Sequence, residues 1–361
     1  MDGIQYGARV TNFTSPKEYA AIVDAILNST TFASRTMRMA KPFNKTTMRK
    51  NVKVSRTNQG QWFQGLTTLN SSAVQTTIQL EFGQNLYTAP IVDVLDEAFA
   101  RETSDKTVDE PGFRYEETIS ETMQDLSDAM YGVGSSTMPL GLGAIVDDGT
   151  NKSNYGGQSR TTYDMLNATV TDSSGIISLA KMATMEDAIS DTGEKETMTT
   201  WLTTQSIWNL YESLLTPTIT TNASTVGYNK LGVSDFSISK PGQLKGGLGF
   251  TALTFRGVPI IKDKACTSGV LFGLNEHYLN WYGRNKVPAG WKGELKNISL
   301  GKAKVIENRQ KMPSSSHGFF RQSKKFMVQQ AGSVERIYLV GQMLSWAPRR
   351  QGKLTGITSI A

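Results

Sequence analysis

The sequence predicts an α+β fold. Three observations carry that prediction: a strongly alternating stretch at residues 73–82, a long amphipathic stripe at 113–131, and helix-period and strand-period segments interleaved through the rest of the 361 residues. The length points to two compact units plus extensions. With 38% apolar residues the chain can bury ordinary cores, and no window offers the roughly 18 uncharged apolar residues of a membrane-spanning helix. The opening MDGIQYGARVTNF has no basic segment followed by an apolar one, so no secretory signal is expected and the protein reads as intracellular.

In SPKEYAAIVDAILNST, Ser15 and Glu18 form a capping box and Pro16 suits the first helical position. Tyr19, Ile22, Val23, Ile26 and Leu27 then share one face, predicting a short amphipathic helix with a sticky side. Residues 1–14 and 29–47 show no period, so 1–47 reads as an arm. Residues 50–57 and 73–82 read as strands, the second with Val74, Ile78, Leu80 and Phe82 opposite Gln75, Thr77, Gln79 and Glu81. Between them, Trp62, Phe63 and Leu66 give a long hairpin an apolar tip. A lone two-stranded hairpin is marginal in water, so this one is expected to lie on its own domain or on another copy.

A short helix is expected through IVDVLDEAFARE (91–102), broken by Pro111-Gly112 from a helix at 113–131 whose stripe is Tyr115, Ile119, Met123, Leu126 and Met130. At 1.5 Å per residue the latter spans roughly 28 Å. Its other faces carry Glu116, Glu117, Glu121, Asp125 and Asp128. Residues 135–175 suggest loops and short strands. Helical spacing returns at Leu179, Met182, Met185 and Ile189, a strand follows at MTTWLTT, and Ile207, Leu210, Tyr211 and Leu214 mark another helix. Residues 216–250 read as loops, LTFRGVPIIKD as a strand bent at Gly257 and Pro259, and VLFGLNEHYLNWYG as an apolar run with a turn. A long strand through Ile337 and Leu339 ends at Pro348, and a last short strand follows.

Catalytic signatures are absent. Cys266 is the single cysteine, in the turn KDKACTSG, and reads as structural. His277 and His317 are too few for a metal cluster. Gly247, Gly249 and Ala252 mimic a dinucleotide fingerprint without the strand before it or the helix after it, and Gly301-Lys302 is followed by alanine where a phosphate loop needs a hydroxyl. Glu116-Glu117 point apart on a helix, and Asp147-Asp148 reads as an ordinary turn. The net charge of +6 gives a weak polyanion signal. Its local groups, Arg321, Lys324 and Lys325, then Arg349, Arg350 and Lys353, read as a solvated face.

The order of these segments resembles the major capsid proteins of tailed bacteriophages, whose Hong Kong 97-type fold is shared with encapsulins. The resemblance rests on GLGAIVDDG followed by YGGQSRTTYDMLNATVTDSSG, on TFRGVPIIKDKACTSGVLFGLNEHYLNWY, and on the closing IYLVGQMLSWAPRRQGKLTGI. It implies an N-terminal arm at 1–47, an extended hairpin loop at 48–92, and a peripheral domain at 93–134 with its spine helix at 113–131. It further implies a mainly axial domain at 135–335 with some peripheral-domain segments, and closing peripheral-domain strands at 336–361. The implied function is structural and not enzymatic. Copies would assemble into hexamers and pentamers of an icosahedral shell around double-stranded DNA held without sequence preference, as the virion capsid, built in the host bacterial cytoplasm. The implied partners are the chain itself, a portal and a separate scaffolding protein, with no membrane, cofactor or metal. Tyr19, Ile22, Ile26, Trp62, Phe63 and Leu66 are the expected subunit contacts. An encapsulin-like compartment is the nearest alternative, and a soluble enzyme such as a hydrolase the alternative from another class.

Overall fold

The computed structural model describes residues 31–55, 62, 64–66, 75–95, 110–190, 196–221, 253–298, 318–327 and 331–360. The predicted helix bearing Tyr19, Ile22 and Ile26 lies outside them, as do Phe63, His317 and the glycines at 247 and 249. The first described element is α1 (Thr31–Arg38), in a stretch expected to have no period. Phe32, Ala33, Thr36 and Met37 are buried there, so one face of the helix is made by tertiary contact. β1 (Lys41–Pro42) follows, then β2 (Thr47–Lys53) and β3 (Thr77–Gly83), which pair antiparallel from Thr47↔Gly83 to Lys53↔Thr77. The alternation read from the sequence is the burial pattern of β3, with Ile78, Leu80 and Phe82 inward.

β4 (Asn85–Val94) corrects the helix expected from residue 91. Ile91–Val94 are strand, because the ten residues of β4 pair in unbroken register from Asn85↔Gly341 to Val94↔Gly332. Periodicity cannot tell a short apolar run in a strand from one in a helix, and here the distant partner decides. α2 (Glu110–Tyr131) begins before Pro111-Gly112 and not after it, since proline is tolerated in a first helical turn. Ile119, Met123, Leu126 and Met130 are buried along its expected stripe.

Next come α3 (Leu142–Ile145), the small hairpin of β5 (Asn154–Tyr155) and β6 (Gln158–Ser159), and β7 (Thr169–Ile177). α4 (Leu179–Ile189) starts at Ser178, whose hydroxyl accepts the N–H of Lys181 at 3.3 Å as an N-cap. Met182, Met185 and Ile189 are buried, whereas Leu179 is exposed. β8 (Thr200–Thr203) and α5 (Gln205–Thr221) match the expected strand and helix, except that α5 runs on through 216–221, which were expected to be loop. The expected bent strand is two strands, β9 (Leu253–Phe255) and β10 (Val258–Lys262). They are joined by a tight turn whose residues Arg256 and Gly257 have φ +49° and +85°, the left-handed pair that two-residue hairpins require. β11 (Leu271–Leu274), β12 (Leu279–Gly283), β13 (Leu295–Asn297), β14 (Phe319–Phe326), β15 (Gly332–Ser345) and β16 (Gly352–Ile360) complete the order.

Among the described residues the strands form two six-stranded sheets and two hairpins. The first sheet runs β1-β12-β15-β14-β13, with β4 along the opposite edge of β15. The second runs β7-β16-β11-β8-β10-β9. The two strands that close the sequence are therefore divided, β15 in the first sheet and β16 in the second, and do not lie together. The β11–β12 connection likewise crosses from the second sheet to the first. One core surrounds α2, joining α1, the β2–β3 base and the first sheet through Met48, Leu80, Ile119, Met130, Trp281 and Met343. The other packs α4 and α5 on the second sheet through Met182, Ile189, Trp201, Tyr211, Leu271 and Leu354.

Candidate assembly surfaces and the groups behind them

The β2–β3 hairpin is rooted in its own chain. Met48, Ile78, Leu80 and Phe82 belong to the core around α2. The β5–β6 turn braces the outer strand: the Glu81 N–H donates to the Gly156 carbonyl at 2.9 Å, and the Gln158 amide donates to the Gln79 carbonyl at 3.1 Å. Gly156 has φ +58°, and a Cβ there would sit 2.8 Å from Phe82 Cζ, so both backbone and packing demand glycine. Phe82 meets Tyr155 and Trp346 edge-on at 5.0 and 5.8 Å, and the Lys50 ammonium sits 4.9 Å over the Trp346 ring. Trp62 and Leu66 are fully exposed at 104% and 109%. Of the expected contact residues these two are described.

Charge is segregated along the chain in a way the sequence reading missed. Residues 25–80 carry Arg35, Arg38, Lys41, Lys45, Arg49, Lys50, Lys53 and Arg56 and no Asp or Glu. α2 carries Glu110, Glu116, Glu117, Glu121, Asp125 and Asp128 against Arg114 alone. Beside α2 lies a cavity of about 370 Å³ lined by Leu86, Tyr87, Asp125, Asp128, Met138 and Trp281. The Tyr87 hydroxyl donates to Asp125, and burial together with that carboxylate pushes the phenol up to about 12.

The basic groups singled out in the sequence are mostly neutralised within the chain. Arg321 forks on Glu335, Lys324 meets Asp93 at 2.5 Å, Lys325 meets Glu294 at 2.6 Å and Arg350 meets Glu196 at 2.8 Å. Lys353, read as solvated, is buried with its ammonium 3.7 Å from Asp147.

Asp147 itself is the group the sequence concealed. Its DDG context does form a turn, but the side chain is buried. The carboxylate accepts the N–H groups of Gly149, Asn151 and Lys152 at 3.0–3.1 Å and the Asn151 amide at 2.9 Å. Arg160 lies 3.6 Å away and caps the end of α3, donating to the carbonyls of Ala144 at 2.6 Å and of Asp147. Burial holds the Arg160 guanidinium and the Lys353 ammonium below their usual ranges, with Asp147 opposing the shift in both.

Cys266 is buried, and burial followed by Asp263 pushes its thiol well up, so the thiolate is scarce at neutral pH. We expect Cys266→Ser to cost no more than about 1 kcal/mol, the size of an ordinary substitution, and self-association in reducing buffer to match the parent. Loss of association in sedimentation runs of the variant would assign the thiol a covalent role. Among the described residues no helix is long and apolar enough to cross a membrane, and no group of three or more His, Cys, Asp or Glu side chains could hold a metal ion.

No family model matches the chain, and no curated protein sequence matches it. Solved structures do. A chain of the cyanophage A-1(L) capsid superposes with a TM-score of 0.69 at 14% identity, covering 96% of this chain and 98% of that one. The capsid of the native GTA particle gives 0.56 at 9%, covering 97% and 98%. The SrpI encapsulin of Synechococcus elongatus gives 0.53 at 9%, covering 99% and 96%. These matches run almost end to end, through both sheets and α2, and at such identities what they carry is architecture. The chain has the Hong Kong 97-type fold, the fold of phage capsid and encapsulin shells.

Proposed function

We propose that the chain is the major capsid protein of a tailed phage, many copies of which close into an icosahedral shell around double-stranded DNA. The observation that carries this reading is the hairpin: a base locked into its own core projects Trp62 and Leu66 fully into solvent. Large apolar side chains held out on a braced arm call for a partner surface. Charge segregation supports a second copy as that partner, since a basic hairpin on one molecule and an acidic α2 on the next make a head-to-tail contact, the kind that closes into rings when the rotation permits. The virion, bacterial cytoplasmic assembly, the portal and a separate scaffolding protein belong to the same proposal. The fold shared with an encapsulin favours one second reading, a compartment holding protein cargo.

Electron microscopy of the purified protein tests both. Closed shells packed with DNA support the capsid, closed shells packed with protein support the compartment, and a monodisperse small oligomer overturns shell formation altogether. A broad protease is also expected to cut free subunits within residues 58–72 and to spare those bonds in shells. Equal protection in free, folded subunits would place the tip in the intrachain core.

A further inference from the structure

Residues 31–44 touch more of the molecule than a connecting segment needs to. The Phe32 ring lies 5.6 Å from Tyr131 at the end of α2. The Phe32 N–H, one of the donors a helix start leaves without an intrahelical acceptor, donates at 2.9 Å to Asp263, which follows β10 in the second sheet. One turn later Arg35 forks on Glu276, its Nε donating to Oε1 and its Nη2 to Oε2 at 2.7 Å. Glu276 also accepts the hydroxyls of Thr200 at 3.1 Å and Thr199 at 3.4 Å. Beyond α1, β1 pairs with Tyr282 and Gly283, the Phe43 N–H reaches the Gly283 carbonyl at 2.8 Å, and the Asn44 amide reaches Asn285 at 2.6 Å. The segment thus holds α2, the first sheet and the second sheet at once.

The position of Glu276 gives these contacts their meaning. It sits in the short turn between β11 and β12, where the chain crosses from the second sheet to the first. The chain crosses between the sheets there and again at 346–351, between β15 and β16, so rotation of one sheet against the other must bend that turn. A bidentate guanidinium–carboxylate pair needs two parallel hydrogen bonds and so resists rotation more than a single point charge does. α1 itself has eight residues, fewer than the roughly 12 that an isolated helix needs to persist in water. Its helical form therefore depends on the contacts it makes.

We infer that residues 31–44 form a strap that fixes the angle between the two sheets, with the Arg35–Glu276 fork and the Asp263 cap as its latch. Under the shell-forming reading it governs the subunit shape available to the lattice, but the inference is judged on free subunits and stands apart from that reading.

The test uses the full chain with Arg35→Ala and, in case that variant folds poorly, Arg35→Lys, which keeps the charge and loses the fork. Hydrogen exchange on unassembled subunits should show the amides of 31–44 exchanging about ten-fold faster in Arg35→Ala, an intermediate effect in Arg35→Lys, and unchanged protection along 115–131. Spin labels at the exposed Lys296 of β13 and Ser359 of β16 report the relative placement of the sheets, and their distance distribution should widen about two-fold as the latch opens. Wild-type exchange over 31–44 in both variants would show that Arg35 latches nothing. Faster exchange with an unaltered distance distribution would show a strap that does not set the angle. Failure of the wild type to make shells would overturn the assembly reading and leave these two results intact.

Discussion

Asp147→Ala is expected to destabilise the free subunit by about 3–5 kcal/mol, the cost of stripping one partner from a buried ion cluster. The variant leaves the Arg160 guanidinium, 1% exposed, and the Lys353 ammonium buried beside each other without the carboxylate between them. It also orphans three backbone N–H groups of the 147–152 turn. Lys353→Met supplies the contrast. Asp147 would keep Arg160 and its four hydrogen bonds, and a thioether of similar length would fill the space, so a change within about 1 kcal/mol is expected. Urea unfolding of both variants against the parent measures the difference. Equal losses for the two, or an Asp147→Ala midpoint indistinguishable from wild type, would remove Asp147 from the centre of the cluster.

Trp281→Ala is expected to cost about 3–5 kcal/mol by the same measurement, as for other fully buried large aromatics. Trp281 is 1% exposed on β12, and its ring lies over Gly341 of β15, where an added Cβ would come within 2.6 Å of Cε2. Gly341→Ala alone should therefore cost about 1–3 kcal/mol through overpacking against a ring that cannot move. In the Trp281→Ala background the same methyl group enters a cavity, and the penalty should fall or reverse. Additive losses in the four-protein cycle would mean that the two residues do not share that space.

These features differ in how far the sequence disclosed them. The alternation of Ile78, Leu80 and Phe82 and the stripe through Ile119, Met123, Leu126 and Met130 are local periods, legible because one buried face imposes them. Trp62 and Leu66 were legible as an apolar tip, while Tyr19, Ile22, Ile26 and Phe63 lie outside the described residues. What stayed hidden is set by distant partners. Ile91–Val94 became strand because β15 runs alongside, α1 is held by Asp263 and Glu276, and the Asp147 turn is buried because Arg160 and Lys353 reach it. Nothing near residue 352 says that β16 leaves the sheet of β15 for the other.

That departure bears on when the protein can fold. β16 is the last of the described strands, yet it lies between β7, its parallel neighbour, and β11, its antiparallel one. During synthesis β7 and the β11-β8-β10-β9 block must wait, each with a bare edge, until residues 352–360 emerge from the ribosome. Such late, long-range pairing is slow and leaves strand edges open to intermolecular mispairing. Contacts between copies that depend on the second sheet therefore become available only once residues 352–360 have taken their place between β7 and β11.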